Sequence, residues 1–321
     1  MCRQEESLGI VSNSRLMIKV CEMYYMQNLS QKEISSRLSV SRPQISRILA
    51  QARAEGIVNI KINNPHRNES ELEQTLIRCY SLRDALVIDN GGENASDRME
   101  RFAAEAAGQL DSYLPGGSAV GVMSGNTVKS VVEAMPFTKK KLQSVVSLVG
   151  GIGAGSVDLH ANSIAQRLAS KYNTSAFSLN APALASDPVA AEMFRREPSV
   201  AKVLDMGSRC DIALVGIGSV CMEATNIRVG ALTEVDLSYL RERGAQASIC
   251  CSYVNAQGGN VGEELATRSI GQSLDSLRKV KIIAMAFGDS KVEAIRAALN
   301  TGRVHVLITD LATAEKIVRL P

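Results

Sequence analysis

Tryptophan is absent from the 321 residues, and aromatic side chains make up only 4% of them. So few aromatic faces argue against a stacking platform for single-stranded nucleic acid. Histidine is almost as scarce. His66, His160 and His305 lie far apart, no metal-ligand spacing appears, and neither a metal site nor a cofactor is expected. The seven cysteines are odd in number and irregularly spaced, and Cys250-Cys251 sit inside an apolar stretch. That pattern reads as buried thiols rather than a bridge. No apolar run approaches the ~20 residues needed to cross a bilayer. The start of the chain, Met1-Cys-Arg-Gln-Glu-Glu, is polar and lacks a signal-peptide core, so a cytoplasmic location is the expectation. Internal repeats and low-complexity tracts are also missing.

What is present is a chain of ordinary globular composition, 45% hydrophobic and 21% charged, long enough for one small and one large domain. The most informative stretch runs from Gln31 to Leu49. Ile34 and Leu38 share one face of a first helix. Ser35 is small enough for a second helix to cross over it. Ser39 and Ser41 are turn and N-cap types, and Ser41 is placed to cap the second helix, with Pro43 in its first turn where a missing N–H costs little. Val40 plugs the corner. Ile45, Ile48 and Leu49 form the inner stripe, leaving Gln44, Ser46 and Arg47 outside near the N-terminus, where such helices meet base edges. This is the buried-position pattern of a helix-turn-helix. Glycine is common at the turn position held by Ser39. A left-handed serine there would cost about 1 kcal/mol, which suggests a slightly different turn.

Charge agrees with that reading. From Arg15 to Lys61 there are eight basic and three acidic residues, a net +5, whereas the whole chain is only +3 and residues 62–321 are −1. Positive charge is thus concentrated where phosphate attraction needs it. Residues 15–28 read as a helix covering the next two, through Leu16, Val20, Met23 and Tyr24. Residues 57–62, alternating and β-branched, read as a short strand or wing. The expected organisation is a winged-type DNA-binding domain over 1–62, a linker and connecting helix over 63–80, and a larger domain over 81–321.

The larger domain alternates short apolar strands with amphipathic helices. Strands are predicted at 85–88, 119–123, 144–148, 175–179, 212–215, 282–286 and 304–308, with one further strand within 247–253. Helices are predicted at 98–113, 163–171, 292–299 and 312–319. Continuous apolar strands are buried on both faces, so the fold class is α/β with a doubly wound, mostly parallel sheet. Four strands run into small or glycine-rich turns: Ser124-Gly125-Asn126-Thr127, Gly150-Gly151-Ile-Gly153-Ala-Gly155, Gly216-Ile-Gly218-Ser219 and Gly288-Asp-Ser290-Lys291. In open α/β sheets ligands lie beyond the carboxyl ends of strands, where glycine admits close approach and free helix-start amides attract anions. The second turn is not a dinucleotide fingerprint. Its third glycine comes one residue early, and Lys171-Tyr172 occupy the region where an acidic ribose ligand would stand, so an NAD site is rejected.

These residues resemble SorC-type transcriptional regulators, the sugar-binding branch of DeoR-like repressors, over nearly the whole chain. The resemblance is carried by Met23-Tyr24-Tyr25, Leu29-Ser30-Gln31-Lys-Glu-Ile34, residues 41–49, Val120-Gly-Val-Met-Ser-Gly-Asn-Thr127, Leu148-Val-Gly-Gly151, Val215-Gly-Ile-Gly218, residues 291–299 and Thr309-Asp310-Leu-Ala-Thr313-Ala314. It implies a repressor of a carbohydrate-utilisation operon, with an isomerase-like domain that binds a phosphorylated sugar and controls operator binding, and an oligomer of two or four copies. Carried over residue by residue, Ser124, Gly125, Asn126 and Thr127 would cradle phosphate, with Gly150, Gly151, Gly216 and Gly218 beside it, and Lys291 would contact the ligand. On double-stranded DNA, Tyr25 and Gln31 would assist Ser41, Arg42, Gln44, Ser46 and Arg47, with Lys32 and Arg37 near phosphates.

Two departures stand out. Where the family often has Gly-Asp-Ile, this chain has Ala247-Ser248-Ile249, replacing a carboxylate acceptor for sugar hydroxyls by a neutral hydroxyl. Phe-Phe-Asp is replaced by Tyr253-Val-Asn255. The lysine that precedes the paired glycines in members that form a Schiff base is here Val149. No catalytic residues are expected. A sugar-phosphate isomerase or aldolase with an appended DNA-binding domain would need a base or nucleophile, for which Asp289 and Lys291 are the nearby candidates. A constitutive DNA-binding protein with a decayed pocket is the remaining alternative.

Overall fold

The computed structural model of the protein describes residues 14–60, 66–92, 94–151, 157–224, 227, 230 and 232–319. The chain divides into two compact units, residues 1–65 and 66–321.

In the first unit, helix α1 (Ser14–Cys21) continues into a wider π turn (Glu22–Met26), followed by α2 (Gln31–Leu38) and α3 (Arg42–Ala54). Met17, Val20, Met23, Ile34, Ile45, Ile48 and Leu49 pack into one core among them, with Leu38 and Val40 half-buried at its edge. The single helix predicted over 15–28 is therefore shorter and irregular, and it ends at Asn28 in a left-handed conformation (φ +53°). Ser30 and Glu33 form a reciprocal cap at the start of α2. At its end Ser39 takes the left-handed conformation (φ +53°, ψ +34°) despite its side chain, so the turn keeps the geometry that glycine favours. Residues 57–60 form no strand, a correction to the predicted wing; a strand needs a partner for its amides, and Ile57 and Ile60 stay exposed. Lys61 and Ile62, the rest of that segment, lie outside the described residues.

The second unit opens with α4 (Arg67–Tyr80). Then follow β1 (Asp84–Ile88), α5 (Ala95–Leu110), β2 (Ala119–Val122), α6 (Asn126–Ala134), β3 (Ser144–Ser147), α7 (Ala161–Lys171), β4 (Ala176–Phe177), α8 (Pro188–Arg196), α9 (Pro198–Ser208), β5 (Ile212–Ser219), α10 (Glu234–Glu242), β6 (Ala245–Ile249), β7 (Ser252–Asn255), α11 (Glu263–Arg268), β8 (Lys281–Met285), α12 (Val292–Asn300), β9 (Val306–Asp310) and α13 (Leu311–Arg319). Strand order is β1-β9-β8-β5-β2-β3-β4, all parallel, with the β6–β7 hairpin added antiparallel to the far end of β5.

Side chains of a strand alternate between faces, and both faces here are covered. Ala213, Val215, Ile282 and Ala284 pack with Leu76, Ile295 and Ile317 of α4, α12 and α13. Their neighbours Ile212, Leu214, Ile283 and Met285 pack with Phe102, Val131 and Ile164 of α5, α6 and α7. The chain leaves β2 toward β3 and β4 on one side, then returns to β5 on the other. The carboxyl ends of β2 and β5 thus flank a topological switch point, where a crevice opens.

The strand predicted at 175–179 shrinks to two residues because the Asn162 side chain takes the Leu179 amide (2.9 Å). The single strand predicted within 247–253 is instead a hairpin, turned at Cys250 in a left-handed conformation (φ +53°).

Candidate functional site

Three loops meet at the switch point. After β2, Ser124 and Gly125 lead into α6. Gly125 adopts φ +143°, which side-chain-bearing residues rarely reach, and no side chain caps the helix. The first helical bond runs from the Lys129 N–H to the Gly125 carbonyl (3.0 Å), so the amides of Asn126, Thr127 and Val128 have no acceptor among the described residues. After β5 come Gly216, Gly218 and Ser219. After β8, Gly288 (φ +108°) opens a single 3₁₀ turn that ends on Lys291.

Between these loops lies a cavity of about 380 Å³, lined by Ser124, Gly125, Asn126, Thr127, Gly216, Gly218, Ser248 and Lys291. The lining includes eight of the ten ligand-binding positions named from sequence. Among the described residues, the side chains of Ser124, Asn126, Thr127, Ser248 and Lys291 make no hydrogen bond or ion pair. Burial without a counter-charge pushes the Lys291 ammonium below the ordinary lysine value. An amide-rich helix start and an unpaired ammonium in one crevice make an electropositive site suited to an anion.

The lysine's loop is held from behind. Asp310, 4% exposed, accepts from the Thr313 N–H (2.8 Å), and the Thr313 hydroxyl accepts from the Gly288 N–H (2.8 Å). Ser219 donates to the Ser290 carbonyl (2.9 Å), tying the β5 loop to the same turn. The Thr309-to-Ala314 motif therefore positions Lys291.

Gly150 and Gly151 do not reach this cavity. Their amides donate to the Ile270 and Ala181 carbonyls (3.1 and 2.8 Å), and a Cβ on Gly150 would stand 2.4 Å from the Ala181 oxygen. These glycines permit close packing of the 181–183 segment. Asp289 also lies off the cavity lining, paired with Lys316 at 2.6 Å. The Val149 side chain stands beside a smaller space adjoining the main one.

Sequence reasoning missed Cys221, Glu223 and Cys250, which line the cavity too. Cys250 is brought there by the hairpin turn, for which the chain offers no glycine signal. Glu223 places a carboxylate without a hydrogen bond or ion pair among the described residues on the same wall.

In the first unit, Arg42, Ser46 and Arg47 project from the exposed face of α3, and Lys32 and Arg37 from α2. Lys32, Arg42 and Arg47 make no hydrogen bond or ion pair among the described residues. Gln44 is half-buried, and its Oε1 accepts from both the Ser41 amide (3.2 Å) and the Ser41 hydroxyl (2.8 Å). Ser41 thus donates to Gln44 and holds the glutamine oxygen, but its side chain makes no cap hydrogen bond to a helix amide, a correction to the expected cap. Gln31 is half-buried, as is Tyr25, whose ring sits edge-on to Tyr24 (centroids 4.9 Å apart).

A small helical unit joined to a doubly wound α/β unit, with an anion-suited crevice at its switch point, defines a class of ligand-binding protein. Residues 64–319 match the family model Sugar-bind, described as “Putative sugar-binding domain”. The chain is 28% identical over 305 residues to the deoxyribonucleoside regulator of Bacillus subtilis (strain 168), covering 95% of this chain and 97% of that one. It is 30% identical over 315 residues to the transcriptional regulator LsrR of Klebsiella pneumoniae subsp. pneumoniae, covering 97% and 94%. The crystal structure of the full-length sorbitol operon regulator SorC from Klebsiella pneumoniae superposes with a TM-score of 0.72 at 26% identity, covering 95% of this chain and 99% of that one. The chain belongs to the Sugar-bind family, among the SorC- and DeoR-type sugar-binding transcriptional regulators. No helix among the described residues is long and apolar enough to cross a membrane.

Proposed function

We propose that this protein is a sugar-responsive transcription regulator: its first unit binds duplex operator DNA and its second binds a phosphorylated sugar that alters that binding. The observation that carries the reading is the cavity at the ends of β2, β5 and β8, where the Lys291 ammonium and the open amides of α6 have no partner among the described residues. A phosphate group supplies both the charge and the acceptors they lack. The names of two relatives, a deoxyribonucleoside regulator and a sorbitol operon regulator, agree with a sugar-derived effector. In the first unit, α2, the left-handed Ser39 turn and α3 form a helix-turn-helix, with Arg42, Ser46 and Arg47 toward the major groove and Lys32 and Arg37 toward phosphates. Tyr25 and Gln31 flank that surface, and Gln44 reaches a base with its amide nitrogen, since its oxygen is held by Ser41. Copies of the chain act together, and the sugar phosphate favours the arrangement for which it has the higher affinity.

The test is a thermal-shift screen of the intact protein against sugar phosphates, repeated with Lys291→Ala. A ligand that binds only the folded state raises the melting temperature. The expected result is a rise with one or more sugar phosphates that disappears in the variant, while operator retention in a gel-shift assay is kept. A variant that responds as the wild type does would remove Lys291 from its role.

A further inference from the structure

Gln44 stands in the first turn of α3, half-buried, with its side-chain oxygen already engaged. Oε1 accepts from the Ser41 N–H at 3.2 Å and from the Ser41 hydroxyl at 2.8 Å. The chemistry fixes which way the amide points. A backbone N–H can only donate, so the amide atom facing it must be the oxygen, and the serine hydroxyl beside it must then donate as well. Both lone pairs of Oε1 are thus used. Freeing the oxygen breaks two hydrogen bonds, and reversing the amide sets its NH₂ against the Ser41 N–H. Pro43 lies between the two residues and fixes the backbone there. What Gln44 offers outward is Nε2, which carries two protons and accepts nothing.

The groups around it share this polarity. Arg47, three positions on and exposed on the same helix, is a donor only, and so is the exposed Arg42. The Glu33 carboxylate of α2 is turned back onto its own helix start, where it accepts from the Ser30 N–H (2.8 Å) and hydroxyl (2.7 Å). A glutamine with both amide atoms free pairs bidentately with adenine, its oxygen accepting from N6 and its nitrogen donating to N7. That pairing is closed to Gln44. Two protons on one nitrogen match instead the base edge with two acceptors, O6 and N7 of guanine. In the major groove thymine presents one acceptor, adenine one beside an amino donor, and cytosine an amino donor alone.

Resting on the reading above in which α3 enters the major groove, we propose that Gln44 is a specificity-determining residue that selects guanine over adenine, with Ser41 as the positioning residue that sets its polarity. Ser41 touches no base in this role. It acts by occupying the oxygen, so that an adenine at the same place would leave its N6 protons facing the Gln44 amide protons, without an acceptor.

The experiment is selection of binding sites by the full chain from a randomised duplex DNA library, with sequencing of the retained fraction. Gln44→Ala marks the base pair that Gln44 reads, as the position where preference relaxes. There the wild type should retain guanine about fivefold or more over adenine, with cytosine least. Ser41→Ala removes the hydroxyl, keeps the N–H and frees one lone pair of Oε1. The ratio of guanine to adenine should then fall about threefold or more. Ser41→Gly should do the same, which guards against a poorly folded alanine variant. Gln44→Lys, another donor-only side chain, should keep the guanine, an outcome that a purely structural role for Gln44 would not give. Adenine preferred by the wild type at that position overturns the proposal, as does a ratio that neither Ser41 variant moves. Preferred sites that Gln44→Ala leaves unrelaxed at every position also overturn it, while the DNA-binding reading stands. A wild type that retains no preferred sequence loses both.

Discussion

Lys291 concentrates the chemistry of the second unit. Its charge was visible in the chain, and so was its place just after an apolar strand. Its lack of a partner among the described residues was not, because that depends on what the loops after β2 and β5 bring near it. Burial disfavours the charged form, so the ammonium discharges at a lower pH than the ordinary 10.5. With the folded-state pKa depressed, the unfolded chain binds the proton more readily, and this group's cost to stability fades as pH rises through the folded value. Ligand binding should run the other way. Affinity for inorganic phosphate should begin to fall at a lower pH than that at which an exposed lysine discharges, and the fall should be absent in Lys291→Ala. Titration calorimetry at successive pH values checks it; a flat wild-type profile contradicts it. Ser39 offers a second test at this scale. A left-handed serine costs roughly 1 kcal/mol relative to glycine, so Ser39→Gly should stabilise the protein by about 0.5–1 kcal/mol in denaturant melts.

The sheet strands were legible as elements because a parallel strand covered on both faces must be apolar along its length, and Ile212 to Val215 or Ile282 to Met285 could hardly be anything else. Their ends were less legible. The 175–179 strand lost its far end to Asn162, a competitor 17 positions away. The β6–β7 hairpin was hidden because Cys250 makes its left-handed turn without the glycine or asparagine that normally announces one. Glycine-rich turns look alike in a sequence whether they admit a ligand or a neighbouring strand. Gly125 has open space beside it, whereas Gly150 touches the Ala181 carbonyl. Gly150→Ala should therefore lower stability by more than about 1 kcal/mol through steric conflict, without removing the phosphate response that survives in folded protein. A thermal melt with and without phosphate separates the two outcomes; selective loss of the response at full stability would return Gly150 to the binding site.

At the scale of the whole molecule the proposed function requires two compact units to share one response. A sugar phosphate can change operator affinity only through differential affinity for two states, and the coupling must be reciprocal. Saturating operator should therefore change the sugar-phosphate dissociation constant by the same factor by which the sugar phosphate changes operator affinity. Two titrations, each run with and without the other partner, test this, and unequal factors would mean that the linked states have been misidentified. Arg47→Ala should weaken operator binding by about 1–3 kcal/mol if the guanidinium meets a base edge. Gel shifts at fixed salt measure it, and unchanged binding would take Arg47 out of the interface.

Local order in this chain follows from the sequence. The helix pair around Ser39, the charge gathered between Arg15 and Lys61, the double-sided strands and the crevice-facing loops after β2, β5 and β8 all rest on neighbours a few positions apart. Side-chain periodicity and charge are local properties, so no folding is needed to see them. Which polar groups stay without partners was decided only in three dimensions. Glu223 and Cys250 join the cavity wall because a loop and a hairpin turn converge there, and Gly150 leaves it because a distant carbonyl arrives first. Hydrogen bonds are allotted among groups close in space, and in this chain the deciding partners are separated by tens of residues.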